Sequence, residues 1–241
     1  MATSPVKDFL VTYLMPQKCY EEFFLNFHLH VPCLKFVLNK AAGFWIILDT
    51  FLAQLPQLMK ILWGGSAEGL SLTAFLLQLY AFSCPVVYAM ANNFPLFAWA
   101  DRLFTLAPTA AIVFLILHYR GDTIQGILLL FSFSGIMLLL RSYAAAAVIS
   151  AIQASSLAAL IASKALQLAT NYRNGHTGQL SILSVILSFA GSLAVAFVSL
   201  QEAGNYPVSL SHILSACLSC VLLAQVLSSK TSTISTTKKT E

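Results

Sequence analysis

Six polar side chains that could bind a ligand stand inside stretches of sequence that are otherwise apolar. They are Asp49, Gln57, Lys60, Lys164, Gln167 and Asn171. A charged group at the centre of a membrane-spanning helix costs about 2.5 to 3.5 kcal/mol even on the gentle insertion scale, so such residues should face the interior of a helix bundle. We therefore predict that these six side chains converge on a ligand-binding site.

Helical spacing places the six residues on two faces. At about 100° per residue, Asp49 and Lys60 share a narrow arc with Gln57 beside it, and the three later residues share a second face. For the glutamines the alternative is a structural role, in which hydrogen bonds between helices contribute roughly 0.6 kcal/mol each. Lys164 lies well inside an apolar helix that has no acidic residue, so its ammonium must meet Asp49, an anionic ligand or water.

The composition around these residues is that of a membrane protein. Of the 241 residues, 58% are hydrophobic and 9% are charged, and the mean hydropathy is +0.80. Soluble domains carry about 25% charged residues, so this chain could not cover a globule of its size with solvated groups. The net charge of +4 comes from basic residues that are spread singly, and we predict no nucleic-acid partner.

Catalysis has little support in the sequence. The chain has nine acidic residues, and none of them forms a spaced pair in a loop of the kind that a metal-dependent transferase needs. The five cysteines do not suggest a disulfide framework, and whether Cys19 and Cys33 are bonded stays open. We predict no enzyme activity, no catalytic residue, no metal site and no cofactor.

Seven apolar segments are long enough to cross a bilayer, because a helix of about 20 residues rises roughly 30 Å. We place them at about 41–62, 70–91, 96–118, 124–141, 146–170, 180–201 and 208–228. The residues before the first segment mix aromatic, acidic and basic side chains, which is typical of an interfacial segment. The Ser- and Thr-rich residues after the last segment predict a disordered tail.

The seven segments contain an internal repeat. A shift of about 110 residues aligns identical residues in three places: Gln57-Leu58 with Gln167-Leu168, Gly65 with Gly175, and Leu70-Ser71 with Leu180-Ser181. The same shift maps the first three segments onto the last three and leaves the fourth as a linker. We predict an all-α integral membrane protein whose seven helices form two parallel three-helix repeats joined by a linker helix.

Five parts of the chain follow from this repeat. They are a lumenal interfacial segment at 1–40, the first repeat at 41–118, the linker helix at 119–145, the second repeat at 146–228 and a cytosolic tail at 229–241. The orientation comes from counting basic residues near the helix ends. Six of them, Lys60, Arg120, Arg173, Lys230, Lys238 and Lys239, lie at the ends that we assign to the cytosol, against Lys35, Lys40, Arg102 and Arg141 at the others.

Pro56 lies on the same face of the first helix as Asp49 and Lys60. Because proline lacks an N–H and clashes with the carbonyl one turn earlier, it bends a helix. The bend can act as a hinge between two conformations or only as a packing kink. The second repeat has Leu166 at this position, which argues against a symmetric pair of hinges.

Two stretches of the sequence carry a family resemblance. Gln54-Leu55-Pro56-Gln57 precedes a short loop and Ala67-Glu68-Gly69-Leu70-Ser71, and the second copy has Leu166-Gln167 followed by the same loop pattern from Asn171 to Ser181. These stretches resemble the PQ-loop repeat family of SWEET-like seven-helix membrane proteins. With Met15-Pro16-Gln17-Lys18-Cys19-Tyr20 and His30-Val31-Pro32-Cys33-Leu34-Lys35, nearly the whole chain resembles the branch of that family required for the use of dolichol-phosphate-linked sugars.

The resemblance implies a protein of the endoplasmic-reticulum membrane that is needed when dolichol-phosphate-mannose and dolichol-phosphate-glucose serve as lumenal sugar donors. The pathways would be N-glycan assembly, glycosylphosphatidylinositol anchors and protein mannosylation, with lumenal glycosyltransferases as possible partners. Its role would be that of an accessory factor or of a lipid-sugar flippase. The alternatives are a SWEET-like small-molecule transporter and a sorting receptor. The terminal Lys238-Lys239 pair independently fits the cytosolic retrieval signal of endoplasmic-reticulum membrane proteins.

Overall fold

The computed structural model of the chain describes residues 7, 10–11, 15–27, 30–201 and 206–237. Within that part the regular structure is helical. The α-helices are α1 (Gln17–Tyr20), α2 (Val31–Leu52), α3 (Leu55–Gly64), α4 (Leu72–Ala91), α5 (Ala100–Tyr119), α6 (Thr123–Tyr143), α7 (Ala146–Asn174), α8 (Ile182–Gln201) and α9 (Tyr206–Thr237). Seven stretches, with α2 and α3 counted as one, are long and apolar enough to cross a membrane, which confirms the predicted fold class.

Two helices extend beyond the segments that hydrophobicity predicts. Helix α2 begins at Val31 rather than near residue 41, with Pro32 in its first turn, where proline costs no hydrogen bond. Helix α9 continues to Thr237, although the sequence after residue 228 predicts a disordered tail. That stretch contains neither glycine nor proline, so nothing in it stops a helix that is already formed.

The first membrane-crossing stretch is broken between α2 and α3. Ala53 and Gln54 lie in the break, and Pro56 is the second residue of α3. The carbonyl of Ala53, which the break releases from the helical pattern, accepts a hydrogen bond from the Ser184 hydroxyl on α8. Helix α7, which contains Leu166, is continuous over its 29 residues. The helix is thus interrupted just before Pro56, and the use of Pro56 as a hinge stays a prediction.

A disulfide between Cys19 and Cys33 ties the N-terminal segment to the first turn of α2. Met15 and both cysteines are buried together. The sequence left this pairing open, since two cysteines separated by a turn of unknown shape do not reveal their distance.

The 110-residue offset is visible in the helix boundaries. Adding 110 to the ends of α4 gives the ends of α8, and adding it to the last residue of α3 gives the last residue of α7. Gly65 and Gly175, again one offset apart, both follow their helix in the left-handed conformation. The two halves therefore share one local fold.

The halves pack against each other through equivalent helices. Helix α4 of the first repeat packs on α7 of the second, and α8 of the second packs on α2 of the first. The linker α6 packs against α5 and α4. Its main contacts are therefore with the first repeat. Tightly packed aliphatic side chains, including Leu79, Ile112 and Ile116, form the core beside this interface.

Candidate functional site

A cavity of about 390 Å³ lies between the two repeats. Its volume falls within the range of pockets that hold small molecules. Polar side chains from both halves line it. From the first half these are Asp49, Thr50, Gln54, Gln78, Arg102 and Thr105, and from the second half they are Gln153, Ser156, Lys164, Ser188, Ser192, His212 and Ser215.

Most of this lining is made of residues that are one repeat offset apart. The pairs are Gln54 with Lys164, Gln78 with Ser188, Arg102 with His212, and Thr105 with Ser215. The cavity therefore lies on the pseudo-symmetry axis of the molecule. The members of three pairs differ in chemistry, whereas Thr105 and Ser215 both present a hydroxyl. A ligand in the cavity therefore meets mostly different groups from the two halves.

Lys164 points into a cage of serine oxygens. It is 8% exposed, and its Nζ donates to the hydroxyls of Ser192 at 2.8 Å, Ser215 at 2.8 Å and Ser219 at 2.7 Å. A lysine ammonium has three protons, so these hydroxyls use all of its donors. The sequence predicted Asp49, an anion or water as the partner. The structure places serines of α8 and α9 around the ammonium instead of Asp49, and contact with an anion or water stays a prediction. Serines are too common in helices to stand out from a sequence.

Asp49 lines the same cavity without an ion pair to Lys164. In the described part of the chain, no hydrogen bond or ion pair reaches its carboxylate. Its side chain lies directly against Gly191 on α8, where a Cβ would overlap the carboxyl group. One repeat offset away, the corresponding residues are Ala159 and Ala81, both buried. Thus α8 has glycine in place of alanine at the crossing where α2 has aspartate in place of alanine.

Two glutamines close one end of the cavity by reciprocal hydrogen bonds. Gln57 of the first repeat donates to the Gln179 carbonyl at 3.0 Å and accepts from the Ser181 amide at 2.7 Å. Gln167 of the second repeat makes the two equivalent bonds one offset away, at 3.2 and 3.1 Å, to Gly69 and Ser71. Each half thereby holds the loop of the other, and we call these two residues with their loops the glutamine clamp.

Lys60 and Asn171 reinforce the glutamine clamp. The Lys60 ammonium donates to the carbonyls of Gly178 and Leu180, at 3.2 and 2.8 Å. The Asn171 side chain, 4% exposed, accepts from Gln167 at 2.7 Å and donates to Gln225 on α9 at 3.1 Å. These predicted site residues therefore hold the clamp closed and do not line the larger cavity.

The cavity runs from the clamp toward the opposite end of the bundle. A smaller space of about 80 Å³, lined by Gln57, Gln167 and Lys164, continues it on the clamp side. At the other end it reaches Arg102, whose side chain is 54% exposed in the first turn of α5. We call that end the mouth.

The structure separates the six predicted residues into two groups. Asp49 and Lys164 line the larger cavity, and Gln57, Gln167, Lys60 and Asn171 belong to the clamp region. Their proposed binding of a ligand stays a prediction. Lys238 and Lys239, the predicted retrieval signal, lie outside the described residues.

Sequence reasoning missed three contributions to the cavity. Arg102 was considered only as a loop charge, Gly191 was not considered, and the serines around Lys164 were not recognised as its partners. The repeat offset could have found some of them, because it pairs Arg102 with His212 and Thr105 with Ser215.

Comparison with known proteins supports the repeat directly. The PQ loop repeat family matches twice, at residues 38–98 and 148–208, and the two matches are 110 residues apart at both ends. No solved structure matches the chain significantly. The two matches cover half of the chain, and each contains one of the two glutamines of the clamp. The chain therefore belongs to the PQ-loop repeat family.

Proposed function

We propose that this protein binds the head group of dolichol-phosphate-mannose and dolichol-phosphate-glucose in the cavity between its repeats and moves it across the endoplasmic-reticulum membrane. Membership of the PQ-loop family indicates a transporter-like or sorting-like role. The finer assignment is supported by the resemblance of the N-terminal and loop stretches to the dolichol-phosphate-sugar utilization branch of that family.

The observation that carries the proposal is a polar, charged cavity inside a bundle whose surroundings are apolar. Polar groups at membrane depth are costly and mark the paths of substrates and ions. Here Lys164, Asp49 and Arg102 are placed with amides and hydroxyls around a space of about 390 Å³. Such a lining suits a small ligand that is both hydroxylated and charged, as a phosphosugar is.

The glutamine clamp favours a protein that moves the lipid-sugar across the membrane over one that only presents it to an enzyme. A protein that only presents a lipid-sugar to an enzyme needs one open side. This cavity has a mouth at Arg102 and, at the other end, a closure made of two equivalent sets of hydrogen bonds. Opening the clamp while closing the mouth would expose the same site to the other side of the membrane, as in transporters built from repeats.

The location is supported by two features at opposite ends of the helix bundle. The Cys19–Cys33 disulfide belongs in an oxidising compartment, which fits a lumenal N-terminus. The basic residues at the clamp end fit a cytosolic placement of that end. In this orientation the mouth faces the lumen, where the glycosyltransferases that use the donors act.

Reconstitution tests the proposal. Purified full-length protein in liposomes, with short-chain dolichol-phosphate-mannose in one leaflet, should move the lipid between leaflets faster than protein-free liposomes. The Lys164→Met variant, reconstituted to the same density, should lose the acceleration, because the cavity loses its buried charge. Movement at the protein-free rate by the wild-type protein would contradict transport and leave an accessory role as the better account. Acceleration of free mannose alone would favour a small-molecule transporter.

A further inference from the structure

Two hydrogen-bond acceptors in the cavity have no donor in the described part of the chain. One is the carboxylate of Asp49. The other is the side-chain oxygen Oε1 of Gln153, which is fully buried and without a partner. Asp49 is partly exposed, whereas the Gln153 oxygen is buried. Buried polar atoms are nearly always paired in folded proteins, so the Gln153 oxygen requires an explanation. Two unpaired acceptors on the wall of one cavity indicate a ligand that brings donors.

Lys164 cannot supply those donors from its present position. Its three protons are already used by the hydroxyls of Ser192, Ser215 and Ser219. The close approach of α2 to α8 at Gly191 further holds the Asp49 side chain at the cavity wall. The carboxylate is therefore presented to whatever occupies the cavity.

A positive group stands about one helical turn nearer the mouth. The Thr105 hydroxyl of α5 donates to the carbonyl of Thr50 at 3.2 Å, so this level of α5 lies beside Asp49 on α2. Arg102 is three residues earlier on α5, or roughly 5 Å along the helix. Arg102 lines the cavity and its side chain is exposed at the mouth. Its Nε lies 3.5 Å from the Asp101 carboxylate, and a guanidinium has further N–H donors that a phosphate can reach there without full dehydration.

We propose that the lipid-sugar binds with its sugar inside and its phosphate at the mouth: sugar hydroxyls donate to Asp49 and Gln153, and the phosphate accepts from Arg102. This orientation rests on the proposed function.

The test compares two short-chain phosphodiesters that differ only in the sugar. The probes are citronellyl phosphate mannose and methyl citronellyl phosphate, titrated into the purified full-length protein in nanodiscs by calorimetry. Asp49→Asn keeps the shape of the side chain. It should weaken the binding of the mannosyl probe about tenfold and change the affinity for the methyl probe by no more than about twofold. Gln153→Leu should act in the same direction. Arg102→Gln should weaken both probes to a similar extent, about tenfold.

A matched control and the contrary outcomes complete the test. Asp122→Asn makes the same chemical change at the far end of the bundle, where Asp122 accepts from Gln125, and should alter neither affinity. The orientation is wrong if Asp49→Asn and Gln153→Leu weaken the binding of both probes equally, or of neither. It is also wrong if Lys164→Gln, rather than Arg102→Gln, weakens the binding of the methyl probe. In both cases the proposed function stands. If the wild-type protein binds neither probe, the proposed function itself fails, and the orientation fails with it.

Discussion

The two repeats use the same device to close the clamp end and different residues to line the cavity. At the clamp, Gln57 and Gln167 make the same pair of hydrogen bonds to loop positions one offset apart. In the cavity, Lys164 stands where the first repeat has Gln54, and His212 stands where it has Arg102. The clamp must close both halves together, so equivalent hydrogen bonds from the two repeats suit it. A ligand with two different ends binds better between groups of different chemistry.

The backbone follows the same division. The first repeat is broken ahead of Pro56, and the second runs through Leu166 without interruption. At the equivalent helix crossings, the first has Asp49 against Gly191, and the second has the buried pair Ala159 and Ala81. The differences thus gather at the level of the cavity and leave the clamp loops alike.

The largest expected effect comes from the crossing of the two clamp loops, through Gly178→Ala. A Cβ on Gly178 would overlap the carbonyl oxygen of Glu68, and its φ of +49° is already unfavourable for any other residue. Left-handed strain of about 1 to 2 kcal/mol adds to overpacking against backbone of about 1 to 3 kcal/mol. We expect a clear fall in the thermal unfolding midpoint of the purified protein.

Gly175→Ala is the control for this prediction. Gly175 also has a positive φ, at +69°, but nothing lies within 4 Å of a Cβ built there. It should cost only the conformational strain of about 1 kcal/mol. Equal losses from the two variants would show that the close approach of the loops contributes nothing to stability.

A smaller effect is expected at the crossing of α2 and α8. Gly191→Ala should destabilise the protein by about 1 to 3 kcal/mol, because the new methyl group meets the Asp49 side chain. Adding Asp49→Ala recreates the Ala–Ala pair found at Ala81 and Ala159 and should recover most of the loss. A double variant as unstable as Gly191→Ala alone would mean that another contact sets the spacing of these helices. Chemical denaturation in detergent measures all three variants.

The smallest expected effect on stability is that of Lys164→Met, at within about 1 kcal/mol. The variant loses three hydrogen bonds, which destabilises the protein, but it also removes the free-energy cost of burying an ammonium. The hydroxyls of Ser192 and Ser219 keep carbonyl acceptors on their own helices, at 2.7 and 3.0 Å. No direct ion pair joins the two side chains, so Asp49→Asn can remove only the attraction between separated charges and should not restore a protein that Lys164→Met has destabilised. Recovery of a destabilised Lys164→Met protein by Asp49→Asn would contradict the serine cage as the partner of the lysine.

Much of the fold could be predicted from the sequence, because apolar length and the repeat offset both act through local periodicity. The offset alone makes Gln57 and Gln167 equivalent residues of the two repeats. The partners of Lys164 could not be predicted, since serines on α8 and α9 resemble ordinary packing residues until the helices are placed together. The start of α2 was missed because the prediction followed apolar residues only. Polar residues such as Lys35 and Lys40 lie in the first turns of α2, so the helix begins before the apolar stretch does.

The central claim is that the glutamine clamp closes one end of a cavity that is open at the other. A cysteine at position 188, which lines both parts of the cavity, reports on this when Cys84, Cys217 and Cys220 are replaced by serine. A membrane-impermeant thiol reagent should label Ser188→Cys from the mouth side and only slowly from the clamp side. Gln57→Leu and Gln167→Leu should each raise clamp-side labelling by a similar factor, about tenfold, while Gln125→Leu should not. Equal labelling from both sides without any clamp variant would contradict the account.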